Sequence, residues 1–148
     1  MKLSTLIIIA SLLGVALATQ GAMNAQVGRI TKIPLFASLI SFSMGTISIL
    51  FIYYLTNESL PLLSDLKSVP PLFWLAGCLG ALFVSSVIIL IPKLGASLLV
   101  SCIIFGQLSF SLFIDYYGLF GLEKRPISIL NIIGFTVIIL GIYLIKLR

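Results

Sequence analysis

The chain of 148 residues contains no histidine, two cysteines and 13 charged residues, nine of them Lys or Arg and four Asp or Glu. Without His, the commonest general base and metal ligand is missing. Glu58, Asp65, Asp115 and Glu123 are the only carboxylates, so an intramembrane hydrolase or a metal centre is poorly supplied. The sequence therefore calls for no enzyme, no catalytic residue, no metal and no cofactor. Cys78 and Cys102 each sit inside an apolar run without CxxC spacing, which suits neither a disulfide framework nor a metal site, and both read as small packing residues. Charged residues make up 9% of the chain, whereas a soluble domain carries about 25%, so a water-facing surface cannot be coated. The basic residues are scattered between apolar spans rather than gathered in a patch, so the net charge of +5 does not point to nucleic acid. They read as anchors at membrane edges.

What is present is apolar. Hydrophobic residues make up 60% of the chain and the mean hydropathy is +1.27. A spanning helix needs about 20 apolar residues, so this length holds about five spans with short loops and no separate soluble domain. The expectation is an all-α polytopic protein, one five-helix membrane domain over residues 1–148 with the lipid bilayer as its first partner. The spans are read as residues 3–25, 34–55, 72–91, 96–117 and 129–145. Lys2, the apolar run Leu6 to Ala18 and the triplet Ala16-Leu17-Ala18 also suit a cleaved signal peptide. Apolar character continuing to Ala25 favours a retained first span.

The punctuation follows from turn chemistry. Gly28-Arg29-Ile30-Thr31-Lys32 reads as a basic loop before Pro34, which fits a first helical turn because its missing N–H has no intrahelical partner there. Thr56 to Pro71 is the longest polar stretch, and Pro92-Lys93-Leu94-Gly95 reads as a four-residue turn. Trp74, Tyr53-Tyr54, and Tyr116-Tyr117 fall on one side of a five-span chain and form an interfacial belt, with Trp74, Tyr116 and Tyr117 as anchors. Basic residues divide almost evenly. Lys2, Lys67, Lys124 and Arg125 lie on the N-terminal side, and Arg29, Lys32, Lys93, Lys146 and Arg148 on the other. Either orientation is set by something besides charge, or the chain inserts both ways.

Helical spacing sorts the polar residues into faces. On the fourth span Gln107, Ser111 and Asp115 are successive i, i+4 neighbours, with Ser97 and Ser101 within the same arc of about 120°. Such a face must meet another helix or a water-filled cavity, because lipid offers no hydrogen-bond partners. One reading makes these groups glue between helices; the other makes them the lining of a solute pathway. Asp115, about one turn from the helix end, either snorkels and caps the following loop or is the one acidic group at membrane depth that could couple transport to protons. On the first span Gln20 and Asn24, one turn apart, offer neutral donors and acceptors for a polar solute. Helix packing is expected at Gly77, Ala81 and Ser85 with Gly80 beside them, at Ser38, Ser41, Gly45 and Ser48 within an arc of about 80°, at Gly106, and at Gly134 and Gly141.

Several short motifs recur in a recognisable order. They are Gln20-x3-Asn24, Ser41-Phe42-x2-Gly45-Thr46, Trp74 with Gly77-x2-Gly80-Ala81, Pro92-x-Leu94-Gly95-Ala96, Gly106-Gln107, Leu112-x-Ile114-Asp115-x2-Gly118-Leu119-Phe120-Gly121, and Arg125-Pro126-x-Ser128 with Gly134 and Gly141. Together they resemble the YdcZ-type family, the five-helix members of the drug/metabolite transporter superfamily, over essentially the whole chain. The resemblance implies half of an inverted-repeat transporter in the inner membrane, exporting a small organic solute by alternating access. An odd span count turns consecutive repeats upside down, so a lone half implies an oppositely oriented second copy or a paralogous five-helix partner. The superfamily pattern puts the first four helices of each half around the pathway and leaves the fifth as support. Gln20, Asn24, Gln107, Ser111 and Asp115 are then the candidate pathway residues. A non-transporting scaffold or accessory subunit is the alternative from another class, and the solute is not written in the sequence.

Overall fold

A computed structural model describes residues 2–147. Every regular element among them is helical: α1 (Leu3–Thr31), α2 (Pro34–Thr56), α3 (Leu63–Ser68), a 3-10 turn (Pro71–Leu75), α4 (Ala76–Leu94), α5 (Ala96–Tyr117), a second 3-10 turn (Leu119–Gly121) and α6 (Ile129–Lys146). Five helical stretches are long and apolar enough to cross a membrane, the third combining the first 3-10 turn with α4 over Pro71–Leu94. This is an all-α polytopic membrane protein.

The start of α2 at Pro34 and the limits of α5 fall where turn chemistry puts them, while two helix ends differ and one short helix is added. α1 does not stop near residue 25 but continues through the expected basic loop to Thr31, with Lys32 in the left-handed region at φ 59° as its cap. At about 1.5 Å per residue its 29 residues exceed the roughly 30 Å hydrocarbon core, which leaves the Arg29 end for the interface. Tertiary packing extends it: Gly28 is buried against α2 and α4, and that outweighs the low helix propensity of glycine. The Thr31 hydroxyl donates to the Val27 carbonyl at 2.9 Å and accepts from the Ile33 N–H at 3.4 Å, closing the turn. The long polar stretch contains α3. α4 also runs past Pro92 to Leu94, although that proline has no N–H to give the Ile88 carbonyl. Gly95, at φ 76°, ends it with a conformation that only glycine adopts freely.

The chain forms two compact units, one ending at Lys93 and one beginning at Leu94. In the first, Gly21, Ala25 and Gly28 of α1, Ala37 and Ser38 of α2, and Ile88 of α4 are the buried residues. In the second, α5 packs on α6, Leu99 is buried, and Phe105 meets Phe135 edge to face with centroids 5.6 Å apart. Most large apolar side chains of both units point outward, which is inside-out for a soluble protein and the expected arrangement for helices solvated by lipid.

Candidate functional site

The first unit brings two polar pairs together across helices. Asn24 of α1, half-buried, donates through Nδ2 to the Ser41 hydroxyl of α2 at 3.0 Å. Ser38 of α2 and Ser85 of α4 share a hydrogen bond of 2.9 Å between their hydroxyls. In a medium without competing water, such bonds fix the register of adjacent helices. Gln20, one turn before Asn24, is exposed and takes no part in either pair.

Closest approach in this unit comes from three α1 residues that periodicity alone did not select for packing. An added Cβ at Gly28 would stand 2.8 Å from Ile88 Cγ2, 3.4 Å from Pro34 Cα and 3.7 Å from Ala37 Cβ. At Gly21 it would stand 3.3 Å from both Ile91 Cδ1 and Val87 Cγ1. Ala25 lies between them, also buried. The signal was legible: Gly21-x3-Ala25-x2-Gly28 is a small-residue ridge at helical spacing, set in a stretch whose later part reads as a loop. An added Cβ at Gly80 would stand 3.6 Å from Phe42 Cζ, an ordinary contact. Around Gly45 and Gly77 no described residue of their own unit lies within 4 Å of the Cβ position, and Ala81 is exposed.

An apolar groove of about 500 Å³ opens beside the Ser38–Ser85 pair, lined by Ile33, Phe36, Leu39, Phe42 and Ala81 as well as the two serines. Its only polar lining is a serine pair already bonded to each other, so it has little to offer a polar solute.

In the second unit the polar face of α5 divides. Ser101 on this face donates to the Ser97 carbonyl at 2.8 Å, as Ser109, on another side of the helix, does to the Phe105 carbonyl at 2.7 Å. These hydroxyls are satisfied by their own helix rather than by a neighbour. Gln107 and Ser111 are exposed and Asp115 is half-buried. The Asp115 carbonyl accepts from the Arg125 N–H at 2.8 Å, and the Gly118 N–H returns to the Ile114 carbonyl. The loop after α5 is thereby folded against the last helical turn, with the Lys124 stem lying over Gly118.

Aromatic residues gather at this same end. Phe113 and Tyr117 approach with centroids 4.7 Å apart, and Tyr116 meets Tyr117 edge to face at 5.0 Å. Tyr116 and Tyr117 are exposed, as is Trp74 in the 3-10 turn of the first unit. A groove of about 550 Å³ runs between α5 and α6, lined by Ser109, Phe113, Tyr116, Tyr117, Ile127 and Phe135 among others. Gln107, Ser111 and Asp115 do not line it. α6 starts with a capping box. The Ser128 N–H donates to Asn131 Oδ1 at 2.8 Å, and the Asn131 N–H to Ser128 Oγ at 3.4 Å, which satisfies two otherwise orphaned donors. Asn131 is thus a helix-capping residue. Gly106, Gly134 and Gly141 have no described residue of their own unit within 4 Å of the Cβ position.

No curated protein and no solved structure shows significant similarity to the chain. A family model described as "Putative inner membrane exporter, YdcZ" matches residues 5–144, from the first span to the last. With its five apolar helices, the chain is a multi-pass inner-membrane protein that belongs to the YdcZ family.

Proposed function

We propose that the chain exports a small organic solute by alternating access, as one of two oppositely oriented five-helix chains. The observation that carries the export reading is the family match over residues 5–144, which reaches from the first span to the last. Membership in an exporter family also implies a non-enzymatic role. For the assembly, the support is physical. Five spans put the termini on opposite sides, so rebuilding an inverted repeat from single chains needs a partner inserted the other way. A charge division of Lys2, Lys67, Lys124 and Arg125 against Arg29, Lys32, Lys93, Lys146 and Arg148 permits both insertions in a homodimer. A paralogous partner of fixed orientation is the other route. The open surroundings of Gly45, Gly77, Gly106, Gly134 and Gly141 leave room for another backbone to approach closely.

Gln20, Gln107, Ser111 and Asp115 are the groups proposed for the pathway. Asn24 belongs with them only if a solute can compete for an amide already engaged by Ser41. The second reading, a non-transporting scaffold or accessory subunit, has a specific observation in its favour: Asn24–Ser41 and Ser38–Ser85 spend polar groups on helix pairing.

Transport by purified protein in sealed vesicles separates the two. Efflux or counterflow of at least one member of a panel of small organic solutes is expected. A folded dimer that moves none of them supports the scaffold. If Asp115 couples export to protons, Asp115→Asn removes the response to an imposed proton gradient; an unchanged response makes it a helix-end residue. Tags at Met1 and Arg148 report both orientations for a homodimer and a single one for pairing with a paralogous chain.

A further inference from the structure

The connection between α2 and the third span is polar enough to read as a solvent loop, yet it carries four exposed leucines, among them Leu60, the most exposed leucine among the described residues of the first unit. Leu60, Leu62 and Leu63 are 80%, 70% and 67% exposed, and Leu66 is also exposed. Within α3, at about 100° per residue, Leu63 and Leu66 fall within an arc of about 60°, while Ser64, Asp65, Lys67 and Ser68 occupy the remainder; Leu62 precedes them as the extended N-cap. α3 is thus a small amphipathic helix with its apolar side uncovered. Its start is tied by the Leu62 N–H donating to Asp65 Oδ2 at 3.3 Å, and its end by Ser68 Oγ donating to the Asp65 carbonyl at 2.6 Å. The conformation is closed locally, and nothing in it draws the leucines inward.

The surrounding geometry identifies what covers them. The Ser38–Ser85 bond sets α2 and α4 side by side at one level. From Ser38 to the end of α2 is about 27 Å of helix, and from Ser85 back to Pro71 about 24 Å, at roughly 1.5 Å per α-helical and 2.0 Å per 3-10 residue. Both ends of the connection therefore emerge at nearly the same height above that contact. Tyr53 in the last turns of α2 donates its hydroxyl to the Ser59 carbonyl at 2.8 Å, which holds the start of the connection down at the Tyr53 level. Trp74, an exposed ring of the kind that settles among headgroups, marks the other end.

We propose that α3 lies in the membrane interface, with Leu60, Leu62, Leu63 and Leu66 inserted among the upper acyl chains and Asp65 and Lys67 turned to water. The occupant of this surface is the bilayer the chain already spans, because the segment is tethered to its surface at both ends by spanning helices. Glu58, Asp65 and Lys67 leave the segment one charge negative, so apolar insertion rather than attraction to anionic lipid holds it. Two neighbouring helix ends are thereby pinned at a fixed depth, whether or not the chain moves a solute.

Single cysteines placed by Leu63→Cys, Leu66→Cys and Ser64→Cys in a Cys78→Ala, Cys102→Ala background, each carrying an environment-sensitive fluorophore, test this on the full chain in phosphatidylcholine vesicles. At positions 63 and 66 the emission is blue-shifted and is quenched at least threefold more by acyl-brominated lipid than at position 64, where iodide is the stronger quencher. The same contrast holds when a third of the lipid is phosphatidylglycerol. Equal iodide access at all three positions overturns the proposal, because the segment is then in water. A contrast that disappears on tenfold dilution of protein in lipid also overturns it and assigns the cover to a second copy. A contrast seen only with phosphatidylglycerol overturns apolar insertion.

Discussion

Replacing Gly28 with alanine adds one methyl at the tightest point of the first unit. In an open helix position Gly→Ala is a gain of about 0.8–1 kcal/mol, because glycine loses more backbone entropy on ordering. At Gly28 the new Cβ would stand 2.8 Å from Ile88 Cγ2, well inside normal contact. Ile88 is 2% exposed, and its Cγ2 is a branch methyl on a side chain with one favoured χ1 in a helix, so it cannot swing aside. Pro34 Cα and Ala37 Cβ at 3.4 and 3.7 Å close the opposite side. Overpacking of this kind costs about 1–3 kcal/mol, so Gly28→Ala is expected to be destabilising by up to about 2 kcal/mol after the entropy gain is subtracted. Gly14→Ala supplies the reference, since nothing lies within 4 Å of its Cβ position; it should stabilise, and the difference between the two variants isolates the clash at about 1–3 kcal/mol. Ile88→Leu moves the branch from Cβ to Cγ at constant volume. In the double variant it should recover most of the loss, a coupling of about 1 kcal/mol or more in a double-mutant cycle. Unfolding in mixed micelles, followed by helical circular dichroism, measures all four proteins. Gly28→Ala as stable as Gly14→Ala, or a cycle that closes to zero, refutes the close approach of α1 and α4.

Three further substitutions probe the local devices. Ser85→Ala removes the 2.9 Å bond to Ser38 and should lower stability in the same assay by about 0.5–1 kcal/mol, with Ser38→Ala adding little more in the double variant. Gly118→Ala should cost about 1–2 kcal/mol for the left-handed backbone alone. Its φ is +66°, and the added Cβ would stand 3.0 Å from the Leu122 carbonyl and 2.7 Å from Lys124 Cγ, so faster hydrogen exchange at the Arg125 amide should accompany the loss. Ser128→Ala opens the capping box at the start of α6 and should cost about 1 kcal/mol, visible as faster exchange at the Asn131 amide but not in α5.

Spans were legible because the hydropathy of a membrane helix is a one-dimensional signal. Ala96–Tyr117 begins and ends where the sequence puts it, between Gly95 and Gly118, two glycines with positive φ. The misjudged boundaries share a cause. Residues 28–32 and 92–94 carry Gly, Pro and basic residues that locally signal a turn, and in both places the helix is extended by what it touches or by where the next glycine lies. Gly28 illustrates the limit most clearly. From the sequence it is a loop signal, whereas against Ile88 and Pro34 it is the residue whose lack of a side chain lets helices meet. No local propensity distinguishes those two uses of glycine.

The polar residues show why a pathway is harder to read than a span. By periodicity Gln20 and Asn24 form one pair and Gln107, Ser111 and Asp115 another set, and spacing gives each member equal standing. Hydrogen bonding ranks them. Asn24 spends a donor on Ser41, and Ser101 and Ser109 return their protons to their own helix, so their polarity need not imply a solute. Gln20, Gln107 and Ser111 are instead held at exposed positions on apolar helices, where an amide or hydroxyl facing hydrocarbon costs several kcal/mol unless something polar meets it. Another helix, a solute or water must supply that partner. Gln20→Leu and Gln107→Leu therefore separate the two proposed readings: each should weaken transport while the isolated helices lose nothing if the partner is a solute, and each should weaken dimerisation if the partner is another chain.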